Sequence, residues 1–243
     1  MFTSQKAAKT IARKIEYGGE RLWRFDDFRG LPPGAVAQTL SRLARQGKLE
    51  RLSKGIYYRP RQTSFGKSMA NPATLQKLLP KHGKAFPSGI AAAGLLGFTT
   101  QAPRQKEIAT SAASLPRKLI GQGTILHTRR PPHWDSLSEE EAAWFDFLRH
   151  AGKTSELSPE RTINRTIALL SEKGQFEKLL KSALSEPPRC RAILGALGEK
   201  MGKKPAMLEK LRDSLNPLSR FDFGQFITLT TAKNWYAKAR SKA

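Results

Sequence analysis

The chain has 243 residues, and its 43 lysines and arginines against 20 aspartates and glutamates give a formal net charge of +23. A balance this basic favours a polyanionic partner. A single cysteine excludes an internal disulfide framework and no apolar run approaches the roughly 18 residues of a membrane helix, so we expect a cytoplasmic protein without a membrane partner.

The first predicted helix runs from Ser4, as its N-cap, to about Tyr17. A short strand is expected over Leu22–Phe25, and a small helix around Phe28. The inward face of the first helix consists of small and branched apolar residues at helical spacing: Ala7, Ala8, Ile11, Ala12 and Ile15.

A second amphipathic helix is predicted to begin near Pro33, where a missing N–H costs nothing, and to stop at Gly47. Val36, Leu40 and Leu43 recur at i, i+4 and i+7, which makes one apolar stripe. The opposite face is expected to carry Ala35, Gln38, Ser41, Arg42 and Arg45.

A β-hairpin follows this helix. Lys48–Ser53 is predicted as its first strand, Lys54-Gly55 as a tight turn, and Ile56–Arg59 as the returning strand. The order helix, strand, helix, turn, helix, hairpin is typical of a winged helix-turn-helix, which we place at residues 1–66. A winged helix binds DNA, so this order predicts a DNA-binding domain.

Charge in the first 70 residues supports that prediction, because they contain fifteen lysines and arginines but only five acids. Arg42 or Arg45 suits bidentate donation to guanine, and Gln38 suits adenine. Ser41 is better placed to bind phosphate, and Lys54 to meet the backbone or a minor groove. For each residue the alternative is a solvated helix face.

Residues 67–243 are predicted to form a second, mixed and mainly helical domain with a small sheet, after a linker in Gln62–Pro72. Strands are expected at Lys106–Thr110 and Thr124–Thr128, with a turn or a third strand at Leu115–Gly123 between them. Helices are expected at Thr74–Leu79 (one or two turns), Ser88–Leu96, from the capping box at Ser138, from Ser158, and at Phe176–Leu184, Arg189–Leu197 and Met207–Leu215; the tail Phe221–Tyr236 has no assignment.

No enzymatic signature accompanies these elements. The four histidines lack metal-site spacing, and Gly83–Gly89 lacks the order of a phosphate-binding loop. Ser88 is a better N-cap than nucleophile. Cys190, although it lies between two arginines, is better explained as a packing residue, and Asp222 has no acidic partner at a spacing that favours a nuclease pair. We therefore expect no enzyme, no catalytic residues, no metal and no cofactor.

Two further possibilities concern the basic second domain. It suits recognition of RNA by shape, but no strand carries the stacking aromatics of an RNA-recognition motif. It also has Trp134, Trp144 and Trp235 to offer as anchors for a protein partner, with core packing as the alternative use of these rings. A stand-alone transcriptional regulator is the main alternative function for the whole chain.

Three segments, LWRFDDF, VAQTLSRLARQGKLERLSKGIYYRP and SGIAAAGLLGFTTQAP, resemble the AbiEi-type antitoxins of type IV toxin–antitoxin systems over about residues 5–200. The resemblance implies an autorepressor that binds double-stranded operator DNA through its winged helix and neutralises a nucleotidyltransferase-type toxin through its second domain. An operator with inverted repeats would need a dimer or two copies side by side. The complete predicted DNA-binding set is Gln38, Ser41, Arg42, Arg45, Lys48, Arg51, Lys54 and Tyr57. For Tyr57 the equal alternative is packing on the helix behind its strand.

Overall fold

A computed structural model describes residues 4–64, 66–68, 84–121 and 123–239. Helices and short strands both occur along the chain, which confirms the predicted α+β class. Among the residues described, no helix has both the length and the apolar character that crossing a membrane requires. The helical turns expected at Thr74–Leu79 lie outside the described residues.

Two units divide the chain. The first unit comprises Met1–His82 with Ser114–Gln122, and the second comprises Gly83–Ala113 with Gly123–Ala243. The division therefore differs from the predicted boundary after residue 66, which falls inside the strand Gly66–Lys67. The first unit is also discontinuous in sequence, because it includes Ser114–Gln122 from the middle of the chain.

In the first unit, two helices and a three-stranded antiparallel sheet share one core. The predicted order of these elements is confirmed, with the first strand one residue earlier and the second strand two residues later than expected. The elements are α1 (Ser4–Tyr17), β1 (Arg21–Arg24), a 3-10 turn (Phe25–Phe28), α2 (Pro33–Arg45), β2 (Glu50–Ser53), β3 (Ile56–Arg59), β4 (Gln62–Thr63) and β5 (Gly66–Lys67).

The bounds of α2 follow from its end residues. Pro33 is its first residue, and Gly47, at φ 69°, occupies the left-handed conformation just beyond its end. The apolar stripe predicted for this helix is buried in the core, which it enters beside Ile11 of α1 and Trp23 of β1. The prediction that Ala35 lies on the exposed face is wrong: it is only 8% exposed, at the side of the helix that packs beside α1.

Both faces of the sheet are covered. Tyr57 on β3 pairs with Trp23 on β1, and both rings lie in the core shared with the helices. Ile56 and Tyr58, which alternate with Tyr57 and therefore point to the other face, are also buried. A sheet with a second apolar face needs further chain to cover that face.

The returning segment Ser114–Gln122 contributes to this cover. It contains a short helix, Arg117–Ile120, which contacts β2, and its apolar residues Leu115 and Ile120 are both buried. The turn or strand predicted at Leu115–Gly123 is therefore wrong. Pro116 immediately precedes the short helix, and Gly121, at φ 98°, ends it after one turn.

Truncation of Ile120 tests whether this segment supports the wing. Ile120→Ala is expected to destabilise the first unit by about 2–4 kcal/mol, because it leaves a cavity where a buried side chain packed. Hydrogen–deuterium exchange should become faster in peptides that contain β2 and β3. Ser114→Ala, which changes an exposed residue of the same segment, is the control, and equal exchange in both variants would contradict the role assigned to Ile120.

In the second unit, a three-stranded mixed sheet is accompanied by helices. Strand order is β6-β7-β8, antiparallel between the first pair and parallel between the second. The third strand is β6, which no sequence pattern predicted. The elements are β6 (Ala85–Pro87), α3 (Ile90–Leu95), β7 (Glu107–Thr110), β8 (Ile125–His127), α4 (Glu139–Arg149), α5 (Pro159–Ser171), α6 (Gln175–Ser182), α7 (Pro188–Lys200) and α8 (Pro205–Asp213).

The aromatic residues of the second unit form its core. Trp134, Trp144 and Trp235 are fully buried, so packing, and not anchoring of a partner, explains them. Trp235 belongs to a tail without a sequence assignment, where two 3-10 turns, Gly224–Thr228 and Ala232–Trp235, carry aromatic rings into the core. Cys190 is buried as well, and burial raises the pKa of its thiol, so it is a packing residue.

Asp146 on α4 is a fully buried carboxylate surrounded by donors. Ser88 Oγ and Gly89 N each donate to it at 2.8 Å, Arg130 Nη2 donates at 3.0 Å, and His150 Nδ1 lies 3.3 Å away. Burial raises the pKa of Asp146, but the hydrogen bonds from His150, Gly89 and Ser88 outweigh burial and hold the pKa below its ordinary value. The ionised carboxylate ties the start of α3 to α4.

A second buried acid, Glu186, lies just before α7. Trp134 Nε1 donates to it at 2.8 Å and Arg149 Nε at 2.6 Å. His133 Nε2 lies 3.2 Å from the same carboxylate without the alignment of a hydrogen bond. Burial lowers the pKa of His133, so this imidazole is held neutral.

The opposite pKa shift of His150 makes stability depend on pH. Its hydrogen bond to Asp146 raises the pKa of His150 against the effect of burial. A raised folded-state pKa means that protonated His150 stabilises the fold fully below its unfolded pKa of about 6.5, and that this contribution is lost as pH rises through the folded-state pKa.

We therefore expect His150→Asn to lower the free energy of unfolding more below pH 6.5 than above the raised pKa. Urea titrations of the wild type and of His150→Asn across this pH range measure the difference in unfolding free energy. His133, whose pKa shifts in the opposite direction, is present in both proteins, so its contribution cancels in the comparison. A loss of unfolding free energy in His150→Asn that grows as pH rises would contradict a raised pKa of His150.

Candidate DNA-binding surface

The outer face of α2 carries polar and basic side chains at helical spacing. Gln38, Arg42 and Arg45 are exposed and Ser41 is half-buried. These four residues recur three or four positions apart, so they share the side of the helix opposite the buried stripe. The structure places them together as the spacing predicted.

No acid in the described part of the chain forms an ion pair with Arg42 or Arg45. Both guanidinium groups border a groove that Ala8 of α1 and Gln38 of α2 also line. A small alanine at this point of α1 leaves the arginines open on that side. The face therefore offers planar, permanently charged donors that suit phosphate and guanine.

The hairpin adds three exposed cations. Lys48 precedes β2, Arg51 lies within it, and Lys54 forms the turn with Gly55. Gly55 has φ 75°, a left-handed conformation that glycine adopts without strain. None of the three lysine and arginine side chains has an ion-pair partner among the residues that the structure describes.

The prediction that Tyr57 contacts DNA is wrong, because this residue is buried. Its side chain is 1% exposed and its ring lies in the core, 6.5 Å from the Phe25 ring between centroids. Strand alternation turns residue 57 toward the helices, where Trp23 lies opposite it in register. A buried ring cannot contact DNA, and the short hairpin sequence alone did not reveal which face residue 57 would occupy.

Several other cations of the first unit stabilise helix ends. The Arg59 guanidinium donates to the carbonyl oxygens of Ile15, at 2.6 Å, and Glu16, which belong to the last turn of α1. Lys67 Nζ donates to the Gly47 carbonyl at 2.8 Å, just beyond α2. Cations at helix C-terminal ends interact favourably with the helix dipole. This part of the charge excess is structural.

Acids of the first unit are held by partners away from α2. Glu20 accepts from Tyr58 Oη, and this hydrogen bond lowers its pKa. Asp27 accepts from Arg24 N at 2.7 Å. Glu50, the one acid of β2, is paired with Lys118 Nζ at 2.9 Å, a partner that lies far away in sequence. Lys118 thus offsets the negative charge of Glu50 on β2. No local sequence pattern indicated this pairing.

Titratable side chains do not form a metal site anywhere in the described ranges. The long exposed side chains of α2 and the hairpin are polar or basic apart from Glu50, which is paired with Lys118. Basic side chains of this kind can bind a polyanion. Six exposed residues with long side chains belong to the α2 face and the hairpin: Gln38, Arg42, Arg45, Lys48, Arg51 and Lys54.

Comparison with known proteins places the chain in a family. The family described as "Family of unknown function (DUF6088)" matches residues 22–179. No curated protein matches the sequence. Among solved structures, the chain is similar to the RV2827C protein from Mycobacterium tuberculosis, with 14% identity over 88% of this chain and 83% of that chain and a TM-score of 0.41. The protein belongs to the family of unknown function DUF6088.

Proposed function

We propose that the first unit is a winged helix-turn-helix that binds duplex DNA and that the protein acts as a transcriptional repressor. The order α1, β1, 3-10 turn, α2, β2, β3 supports the winged helix, with the 3-10 turn in the place of the usual second helix. The proposal rests above all on Arg42 and Arg45, which are exposed on α2 and have no acidic partner among the residues that the structure describes.

In this proposal α2 lies in the major groove, which is wide enough for one helix. Arg42 or Arg45 donates two hydrogen bonds to guanine, and Gln38 pairs with adenine. Ser41, half-buried at the edge of this face, binds a phosphate, as do Lys48 and Arg51. Lys54, at the turn of the hairpin, reaches the neighbouring backbone or minor groove.

Competition between duplex DNA and structured RNA tests this function. The full chain is titrated into a labelled 30-base-pair duplex that the protein itself has selected from a random pool, and unlabelled duplex or hairpin RNA is then added. We expect the selected duplex to displace the probe at far lower concentration than the RNA, and affinity to fall steeply as salt rises. Equal competition by RNA would favour an RNA-binding protein, and absence of duplex binding would refute the proposal.

The antitoxin function remains a prediction that rests on the resemblance to AbiEi-type proteins. It is tested by expressing a nucleotidyltransferase encoded next to this reading frame with and without the full chain. Restored growth in the presence of the chain, and also of an Arg42→Ala variant, would assign neutralisation to a surface other than α2. Growth arrest that the chain does not relieve would leave the stand-alone regulator as the function.

A further inference from the structure

An exposed aromatic ring borders the turn of the wing. Phe25 is the first residue of the 3-10 turn that follows β1, and its side chain is 41% exposed. Its ring packs on one side against Tyr57, at 6.5 Å between centroids. The neighbouring aromatic residues Trp23 and Phe28 are buried. Phe25 is thus the aromatic residue of this element that the core leaves open.

The wing turn holds this ring in place. A Cβ atom added to Gly55 would lie 3.3 Å from Phe25 Cδ2 and 3.5 Å from Cε2, so the ring lies directly against the turn. Gly55 also needs its positive φ of 75° for the turn. Glycine at position 55 therefore allows both the positive φ of the turn and the close approach of the Phe25 ring. We call Phe25 together with Lys54-Gly55 the wing ridge.

Charge around the wing ridge favours an anionic partner. Lys54 in the turn and Arg51 on β2 are exposed and, in the described ranges, have no acidic partner. The two acids that follow Phe25 are both engaged: Asp27 accepts from Arg24 N at 2.7 Å, and Asp26 lies 4.0 Å from an Arg29 nitrogen. An apolar ring flanked by free cations is the chemistry that binds sugar edges and base steps between phosphates.

We propose that the wing ridge enters the minor groove of the DNA duplex that α2 occupies, with the Phe25 ring against the sugars and base edges and Lys54 on a phosphate. This inference rests on the proposed DNA binding and deepens it. A groove about 6 Å wide accepts the edge of one ring but not a helix, whereas α2 suits the wider major groove. Apolar side chains that enter minor grooves partly unstack a base step. Bases at an unstacked step are more accessible to a chemical probe.

Substitution of Phe25 tests the proposal with the full chain. Phe25→Ala is expected to weaken binding to the selected 30-base-pair duplex roughly 5- to 100-fold, the range found when a ring that contacts a base is removed. Phe25→Leu, which keeps apolar packing against Tyr57, should recover part of this loss. Tyr17→Ala removes a still more exposed ring, 78% exposed at the end of α1, and should bind as the wild type does.

Two readouts separate a minor-groove contact from a general loss of structure or charge. The slope of affinity against salt should stay unchanged in Phe25→Ala, because the ring carries no charge, but should fall by about one ion in Lys54→Ala. Permanganate should react with thymines at one step of the bound duplex more in the wild type than in Phe25→Ala.

The possible outcomes differ for the inference and the function that it rests on. If the wild type binds the duplex and Phe25→Ala binds it equally well, the wing ridge proposal is refuted while DNA binding stands. If Phe25→Ala loses binding to single-stranded DNA but not to the duplex, the ring stacks on unpaired bases and the minor-groove assignment is refuted. If the wild type does not bind the duplex, the proposed function itself fails.

Discussion

Replacement of Asp146 with alanine is expected to lower the free energy of unfolding of the second unit by about 3–5 kcal/mol. The carboxylate is fully buried and accepts hydrogen bonds from Ser88 Oγ, Gly89 N and Arg130 Nη2. Its removal leaves the Arg130 guanidinium, which is nearly buried, without its partner. An uncompensated buried charge costs far more than a lost surface contact, so this substitution should have the largest effect on stability.

Urea unfolding monitored by far-ultraviolet circular dichroism measures the loss. Asp222→Ala is the control, because Asp222 also accepts hydrogen bonds, from Lys153 Nζ at 2.6 Å and from Gly224 N at 2.9 Å, but its side chain is more than half exposed. Water and salt screen such a pair, and we expect its removal to cost less than about 1 kcal/mol. Similar losses in the two variants would show that Asp146 does not organise the second unit.

Arg42→Ala is expected to weaken specific DNA binding by about 1–3 kcal/mol, the effect of removing an arginine that reads a base. Arg42 has no acidic partner in the described part of the chain, so its removal disturbs no ion pair of the fold. Binding of the selected duplex and of a scrambled duplex at one salt concentration measures both affinity and selectivity.

The control for this substitution is Arg161→Ala, which removes the same charge from an exposed position on α5 in the other unit. It should leave both affinities nearly unchanged. If Arg42→Ala weakens both duplexes by the same small factor, Arg42 contacts phosphate. If it changes neither, Arg42 does not belong to the interface.

Local sequence signals predicted the two helices and the hairpin of the first unit well. Pro33 and Gly47 mark the ends of α2, and the stripe of Val36, Leu40 and Leu43 identifies its buried face, because caps and helical spacing depend only on neighbouring residues. The exposed arginines of α2 followed from the same spacing. The first three strands were found within one or two residues for the same reason.

Features that depend on distant residues were not predictable in the same way. The segment that contributes a short helix against β2 lies more than fifty residues after β3. Lys118 pairs with Glu50 across a similar distance. Tyr57 was assigned to the DNA surface because the sequence did not show which strand face the core would take. Arg130, 16 residues before Asp146, likewise meets its carboxylate only in the folded unit.

The most direct test of the central claim, that α2 and the wing bind duplex DNA, is hydrogen–deuterium exchange of the full chain with and without the selected duplex. We expect slower exchange on DNA addition in peptides that contain α2 and the β2–β3 turn, with little change in α5 and α8. Unchanged exchange in α2 and the turn, with protection confined to the second unit, would contradict it.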